Sequence, residues 1–133
     1  MTARGWFLLP AVVVYSIDVT LTLVGQDDAY WQGDYGLAIE GNPLVRPVLA
    51  YSPWLFIGAV FAWGVLFGAI VLFWRHRAAE WLGVLTTVGH TFGGATWLVW
   101  FGVIGWPFVV LYLVLVCIGI RWCWGRAWNG SEP

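Results

Sequence analysis

Four stretches of this chain, 5–25, 54–74, 80–101 and 104–122, are each long, nearly uncharged and rich in Leu, Val, Ile, Phe and Trp. A hydrocarbon core of ~30 Å takes roughly 20 apolar residues per helix, so the pattern predicts four transmembrane helices. Hydrophobic residues make up 61% of the chain and charged residues only 10%, which leaves no material for a soluble domain. The expected fold is all-α: a single polytopic domain over residues 1–133, with one long outer loop at 26–53.

Charge sets the orientation. All six basic residues are Arg. Arg4, Arg75, Arg77, Arg121 and Arg126 fall at one set of span ends, and Arg46 alone falls at the other. By the positive-inside rule both termini and the Arg75–Arg77 turn are expected in the cytoplasm, with the chain integral to the cytoplasmic (inner) membrane. The 26–53 loop and a tight turn near Phe101–Gly105 then face outward. Tryptophan gives the same frame: Trp6, Trp74, Trp81, Trp122, Trp124 and Trp128 mark the inner span ends, and Trp31, Trp54, Trp100 and Trp106 the outer. Only Trp63 and Trp97 lie well within a span. A net charge of −1 gives no reason to expect nucleic acid as a partner; the bilayer is the expected one, with a homo-oligomer or larger membrane complex beside it.

The N-terminal run has a basic residue and an apolar stretch but no small-residue cleavage site, and reads as a retained first helix. Cys117 and Cys123 are spaced too widely for a redox or zinc pair and read as packing or membrane-facing residues. Asn129-Gly130-Ser131 matches a glycosylation sequon on the expected cytoplasmic side and is set aside.

The first span carries the informative polar residues. Tyr15, Asp18 and Thr22 recur at three- and four-residue spacing and share one helix face, with Gly25 and Gln26 following near it. Asp18 lies roughly 10 Å below the outer end, at 1.5 Å per residue. An ionisable group there costs about 2.5–3.5 kcal/mol on insertion scales and must face the bundle and a partner. Tyr15, Thr22 and His90 are the candidates. Two readings follow for Asp18: a bond that locks the helix into the bundle, or a ligand- or proton-carrying carboxylate.

The outer loop ends in Glu40-Gly41-Asn42-Pro43. Asn is a favoured N-cap and Pro a favoured first helical residue, so a short interfacial helix is expected through Leu44, Val45, Val48 and Leu49. Pro47 limits it to a kinked or single-turn segment. Ser52-Pro53 repeats the pattern at the head of the second span. Glu40 pairs locally with Arg46 on one reading; on the other, Glu40 and Asn42 roof a cavity above Asp18.

The second and third spans carry small-residue pairs suited to close helix approach, Gly64 with Gly68 and Gly89 with Gly93. The third adds a polar face of Thr86, His90, Gly93 or Gly94, and Trp97. His90 near mid-span reads as a packed histidine bonded to a carbonyl, Thr86 or Asp18. Two sharper readings are a divalent-metal site of Asp18, Glu40 and His90, and axial ligation of a tetrapyrrole by His90 with room left by Gly93, Gly94 and Ala95.

Asp18 with its neighbouring threonines, followed by Glu40-Gly41-Asn42-Pro43 and a hydrophobic span, resembles a family of small bacterial and archaeal membrane proteins of unknown function. These have four helices, an Asp-Thr first helix and a Glu-x-Asn-Pro motif, and the resemblance covers residues 15–72. The chain departs from that pattern in lacking a basic residue in its second span and in the length of its loop. The resemblance implies topology and no activity. The expected site is therefore Asp18, Thr22, Glu40, Asn42 and His90. Its first functional reading is a binding or interaction subunit of a membrane complex; its others are a metal-dependent intramembrane enzyme acting on a lipid-like substrate and a pigment- or haem-binding subunit.

Overall fold

The computed structural model describes residues 2–129, so the sequon's Gly130 and Ser131 lie outside the described residues. Every regular element among them is helical. Four long helices dominate: α1 (Ala3–Val24), α4 (Pro53–Phe73), α5 (Arg77–Val99) and α6 (Gly105–Asn129). The loop between α1 and α4 contains two short helices, α2 (Asp28–Trp31) and α3 (Arg46–Tyr51), and a 3-10 turn at Tyr35–Leu37.

Three helices, α1, α4 and α6, are long and apolar enough to cross a membrane. α5 is as long, but its polar content lowers its hydropathy: His90 and a run of threonines lie on it. Span ends shift from those expected. α5 begins at Arg77, where the His76 ring nitrogen accepts the Ala78 N–H at 3.1 Å as an N-cap. α6 continues to Asn129 instead of stopping at Trp122, because past the apolar run the Arg126 guanidinium lies over the Trp6 and Trp122 rings at 5.1 and 4.6 Å and ties the last turns to α1.

α1 is the central helix and packs against α4, α5 and α6. Its N-terminal end is tied down by residues the chain places far away. Arg4 donates to Val71 O and Trp74 O, at 3.1 and 2.5 Å, satisfying the exposed carbonyls that end α4. Phe7 stacks on Trp124, whose indole N–H donates to Phe7 O. The N-terminus of α1 thus meets the C-terminal ends of α4 and α6, which run antiparallel to it, whereas α5 runs parallel to α1, with Gly83 at Phe7, His90 at Asp18 and Trp97 at Gly25. Beneath lies a cluster of Leu8, Ala11, Phe67 and Val71.

Small residues set how closely the helices approach. A Cβ on Gly83 would stand 2.7 Å from the Phe7 ring, one on Gly94 2.9 Å from the Tyr112 hydroxyl, and one on Gly105 would run into Leu98 O. Gly102 has φ +67°, a left-handed conformation that makes the α5–α6 turn tight. Of the two expected pairs, Gly64 and Gly68 both face α1, against Tyr15 and Leu8. The second pair splits. Gly93 meets Asp18, whereas nothing lies within 4 Å of a Cβ on Gly89, which is exposed and packs against no helix.

The outer loop is a packed cap. Tyr30, Ala38, Leu49 and Phe56 form its core against Val19 and Leu23 of α1, and the fully buried Tyr30 donates its hydroxyl to Leu49 O at 3.0 Å. Burial raises the Tyr30 phenol above its ordinary pKa, and the neighbouring Tyr35 adds to the rise. α3 starts later than the Asn-Pro signal suggests. Asn42 Oδ1 accepts the Leu44 N–H at 2.9 Å, capping a turn, and the helix proper begins at Arg46 with Pro47 in its first turn, where no N–H is needed. Ser52 caps α4 as expected, accepting the Trp54 N–H at 3.2 Å.

Candidate functional site

Asp18 and His90 meet. His90 Nδ1 lies 2.7 Å from Asp18 Oδ2, joining the centres of α1 and α5 in a pair that is partly buried, with side chains 17% and 27% exposed. Gly93 makes this possible: it sits one turn along α5, and a side chain there would stand 2.6 Å from both carboxylate oxygens. Tyr15 packs edge-on against the imidazole, centroids 4.6 Å apart and planes at 81°, and its hydroxyl donates to Val60 O of α4 at 2.6 Å. One residue of α1 therefore steadies the ring and ties down the neighbouring helix. With Nδ1 committed to Asp18, Nε2 is the nitrogen left for anything that approaches His90.

The pair lies on the wall of a cavity of about 1480 Å³. Tyr15, Asp18, Val19 and Thr22 of α1 form its floor; Phe56, Ala59, Val60 and Trp63 of α4 form one side, and the Leu85–Trp100 face of α5 the other. The loop covers it from Gly36 to Arg46, so Glu40 and Asn42 lie in the roof as the sequence suggests. α4 meets α1 through Phe67 and Val71 against Leu8 and through the Tyr15 hydroxyl on Val60 O, and the space lies between these contacts, α5 and the loop. Ala59, Trp63, Leu85, Gly89 and Phe92 line it while remaining exposed, so it opens sideways between α4 and α5. Its volume exceeds the roughly 300–1,000 Å³ of ordinary small-molecule sites.

The roof is held by a residue that the sequence places near the Asp18 face without giving it a role. Gln26 is 6% exposed; its amide donates to Thr22 O at 2.7 Å and Ile39 O at 2.8 Å, and its carbonyl accepts the Ile39 N–H at 2.8 Å. The signal was its position four residues after Thr22 on the Asp18 face. Arg46 was also read only as a local partner for Glu40. That pair does not form: the only acid–base contact among the described residues is Asp18–His90. Glu40 Oε1 turns back to accept the Asn42 N–H at 2.7 Å, and Arg46 lines the cavity.

The three-ligand metal set does not assemble either, because no group of three His, Cys, Asp or Glu close enough to hold an ion occurs among the described residues. Gly93 and Gly94, read as small neighbours of His90, face Asp18 and Tyr112. Cys123 is buried and Cys117 exposed.

Glu40 is half-buried in the roof. Desolvation raises its carboxyl pKa above the ordinary 4.5, the Asn42 N–H opposes the rise, and the Asp18 charge adds to it. Since the folded-state pKa exceeds the unfolded one, the associated stability is fully present below about pH 4.5 and is lost as pH rises through the raised value. Thermal unfolding in detergent from pH 4 to 7.5 is expected to show this decline. Glu40→Gln keeps an acceptor for the Asn42 N–H and should flatten it; an unchanged pH slope would remove Glu40 as its source.

Comparison with family models, with curated proteins and with solved structures finds no match to this chain.

Proposed function

We propose that this chain is a four-span protein of the cytoplasmic membrane, both termini inside, that binds a membrane amphiphile through the cleft between α4 and α5. One observation carries the reading: the cavity is walled by apolar and aromatic side chains, opens sideways, and holds a paired Asp18 and His90. A lipid entering from the bilayer would lay its chains along Trp63, Leu85 and Phe92 and bring its polar part to the pair. As a fourth span, α5 has support in its 23 residues, about 35 Å at 1.5 Å per residue, and in the turning of Gly83, His90 and Gly93 toward α1. Five of six arginines at the termini end of the bundle support the orientation. The two halves of the resembled motif, Asp18-Thr and Glu40-x-Asn42-Pro43, contribute floor and roof of one cavity, which favours treating them as a functional unit. Binding within a larger membrane complex fits the same site.

Photolabelling tests the reading. The protein is placed in nanodiscs containing a diazirine-tailed phospholipid, irradiated and digested. Labels are expected to concentrate on Trp63, Leu85 and Phe92, and Ala59→Trp, which narrows the mouth, should deplete them. Labelling no greater there than at Val110 and Leu115, lipid-facing residues of α6, would overturn it.

A second reading, an enzyme acting on the bound lipid, is favoured by the geometry of His90: an imidazole oriented by a carboxylate and left with Nε2 unused is suited to moving a proton. Conversion of the retained lipid to a species of different mass would select it over simple binding.

A further inference from the structure

We infer that the occupant of the cleft is a phospholipid whose head group carries both a phosphate and a primary ammonium. The inference rests on the reading of the cleft as an amphiphile site and concerns which head group the site selects. Among the described lining residues the formal charges are Asp18, Glu40 and Arg46, with His90 titratable. Asp18 is engaged by His90, and the guanidinium neutralises neither carboxylate. Arg46 forms no ion pair with a described carboxylate, and Glu40 accepts the backbone N–H of Asn42. A planar guanidinium in the roof suits a phosphate, which it can hold with two parallel hydrogen bonds. The two carboxylates suit a cationic group with several N–H donors. A primary ammonium offers three; a quaternary ammonium offers none.

The arrangement also disfavours purely anionic lipids. Two carboxylates and one guanidinium line the site, so a head group with a phosphate and no cation adds like charge to it. An amine-bearing head adds its own counter-charge. Asp18 and Glu40 line the same cavity, one from α1 and the other from the loop above it.

The test is competition in the nanodisc photolabelling experiment, with unlabelled phosphatidylethanolamine, phosphatidylcholine or phosphatidylglycerol displacing the diazirine lipid from Trp63 and Phe92. Phosphatidylethanolamine is expected to compete about tenfold better than the other two, the scale of one charge-assisted hydrogen bond. Asp18→Asn and Glu40→Gln should each erode that preference, and Arg46→Gln should weaken all three lipids alike. Because Asp18→Asn also alters a helix contact, Glu40→Gln serves as the independent variant. Tail-less glycerophosphoethanolamine distinguishes a lipid site from a soluble phosphoamine site: competition by it at millimolar concentration, matching the lipid, would overturn the phospholipid assignment. Equal competition by the three lipids would overturn the head-group inference while leaving the amphiphile site standing. Absence of cavity labelling with any lipid would overturn both.

Discussion

Gln26→Leu is expected to release the roof of the cavity while leaving the four long helices in place. The substitution keeps the side-chain bulk of a residue that is 6% exposed but removes three hydrogen bonds, to Thr22 O, Ile39 O and the Ile39 N–H. Each is worth about 0.5–1.5 kcal/mol, and leaving buried partners unsatisfied costs further, so a loss of roughly 2–4 kcal/mol is expected, concentrated in the loop. Hydrogen exchange followed by mass spectrometry reads it directly. Amides from Leu37 to Arg46 should lose protection, whereas those of α4 and α6 should not. Uniform loss throughout the chain would show that the loop and the bundle unfold as one unit, and unchanged protection would show that the Tyr30–Leu49 contact alone holds the roof.

That Gln26 governs the roof explains where sequence reasoning reached and where it stopped. Length and hydropathy locate the long helices, since a bilayer sets the length of an apolar run. The Tyr15–Asp18–Thr22 and His90–Gly93–Trp97 faces follow from helical spacing, and their meeting is the one tertiary contact that the cost of an unpaired intramembrane carboxylate could suggest. Beyond that point the information is geometric. Glu40 was expected to pair with Arg46 because the two stand close in sequence; the turn capped by Asn42 instead directs the Glu40 carboxylate back to the chain. Gln26 reads as one more polar residue at a helix end until Ile39, thirteen residues on, is seen bonded to it. The cavity is lined by α1, α4, α5 and the loop together, a property of several elements that no single-helix pattern encodes. The lower hydropathy of α5 follows from the same cause, because the residues that build the site replace apolar ones.

Gly89 and Gly93, one turn apart on α5, are expected to respond oppositely to the same substitution. Both look alike in sequence as small residues at helical spacing. A Cβ at Gly93 would stand 2.6 Å from both oxygens of Asp18, while nothing lies within 4 Å of one at Gly89. Gly89→Ala therefore gains helix propensity alone, about 0.8–1 kcal/mol in a helix interior, and should leave the Asp18–His90 bond in place. Gly93→Ala gains the same propensity but forces Asp18 away from α5. The overpacking cost of about 1–3 kcal/mol combines with loss of the Asp18–His90 bond, and interhelical hydrogen bonds of this kind average ~0.6 and reach ~1.7 kcal/mol in membranes. The expected balance is a net loss of about 1–3 kcal/mol in unfolding by dodecyl sulfate titration. The nitrogen-15 signals of the His90 ring provide a readout that packing alone would not move: in Gly93→Ala they should shift toward those of an unpartnered imidazole, and in Gly89→Ala they should match the parent. Equal stability of the two variants would mean that α1 and α5 do not meet at Gly93, and with that contact the pairing of Asp18 to His90, on which the site depends, would fall.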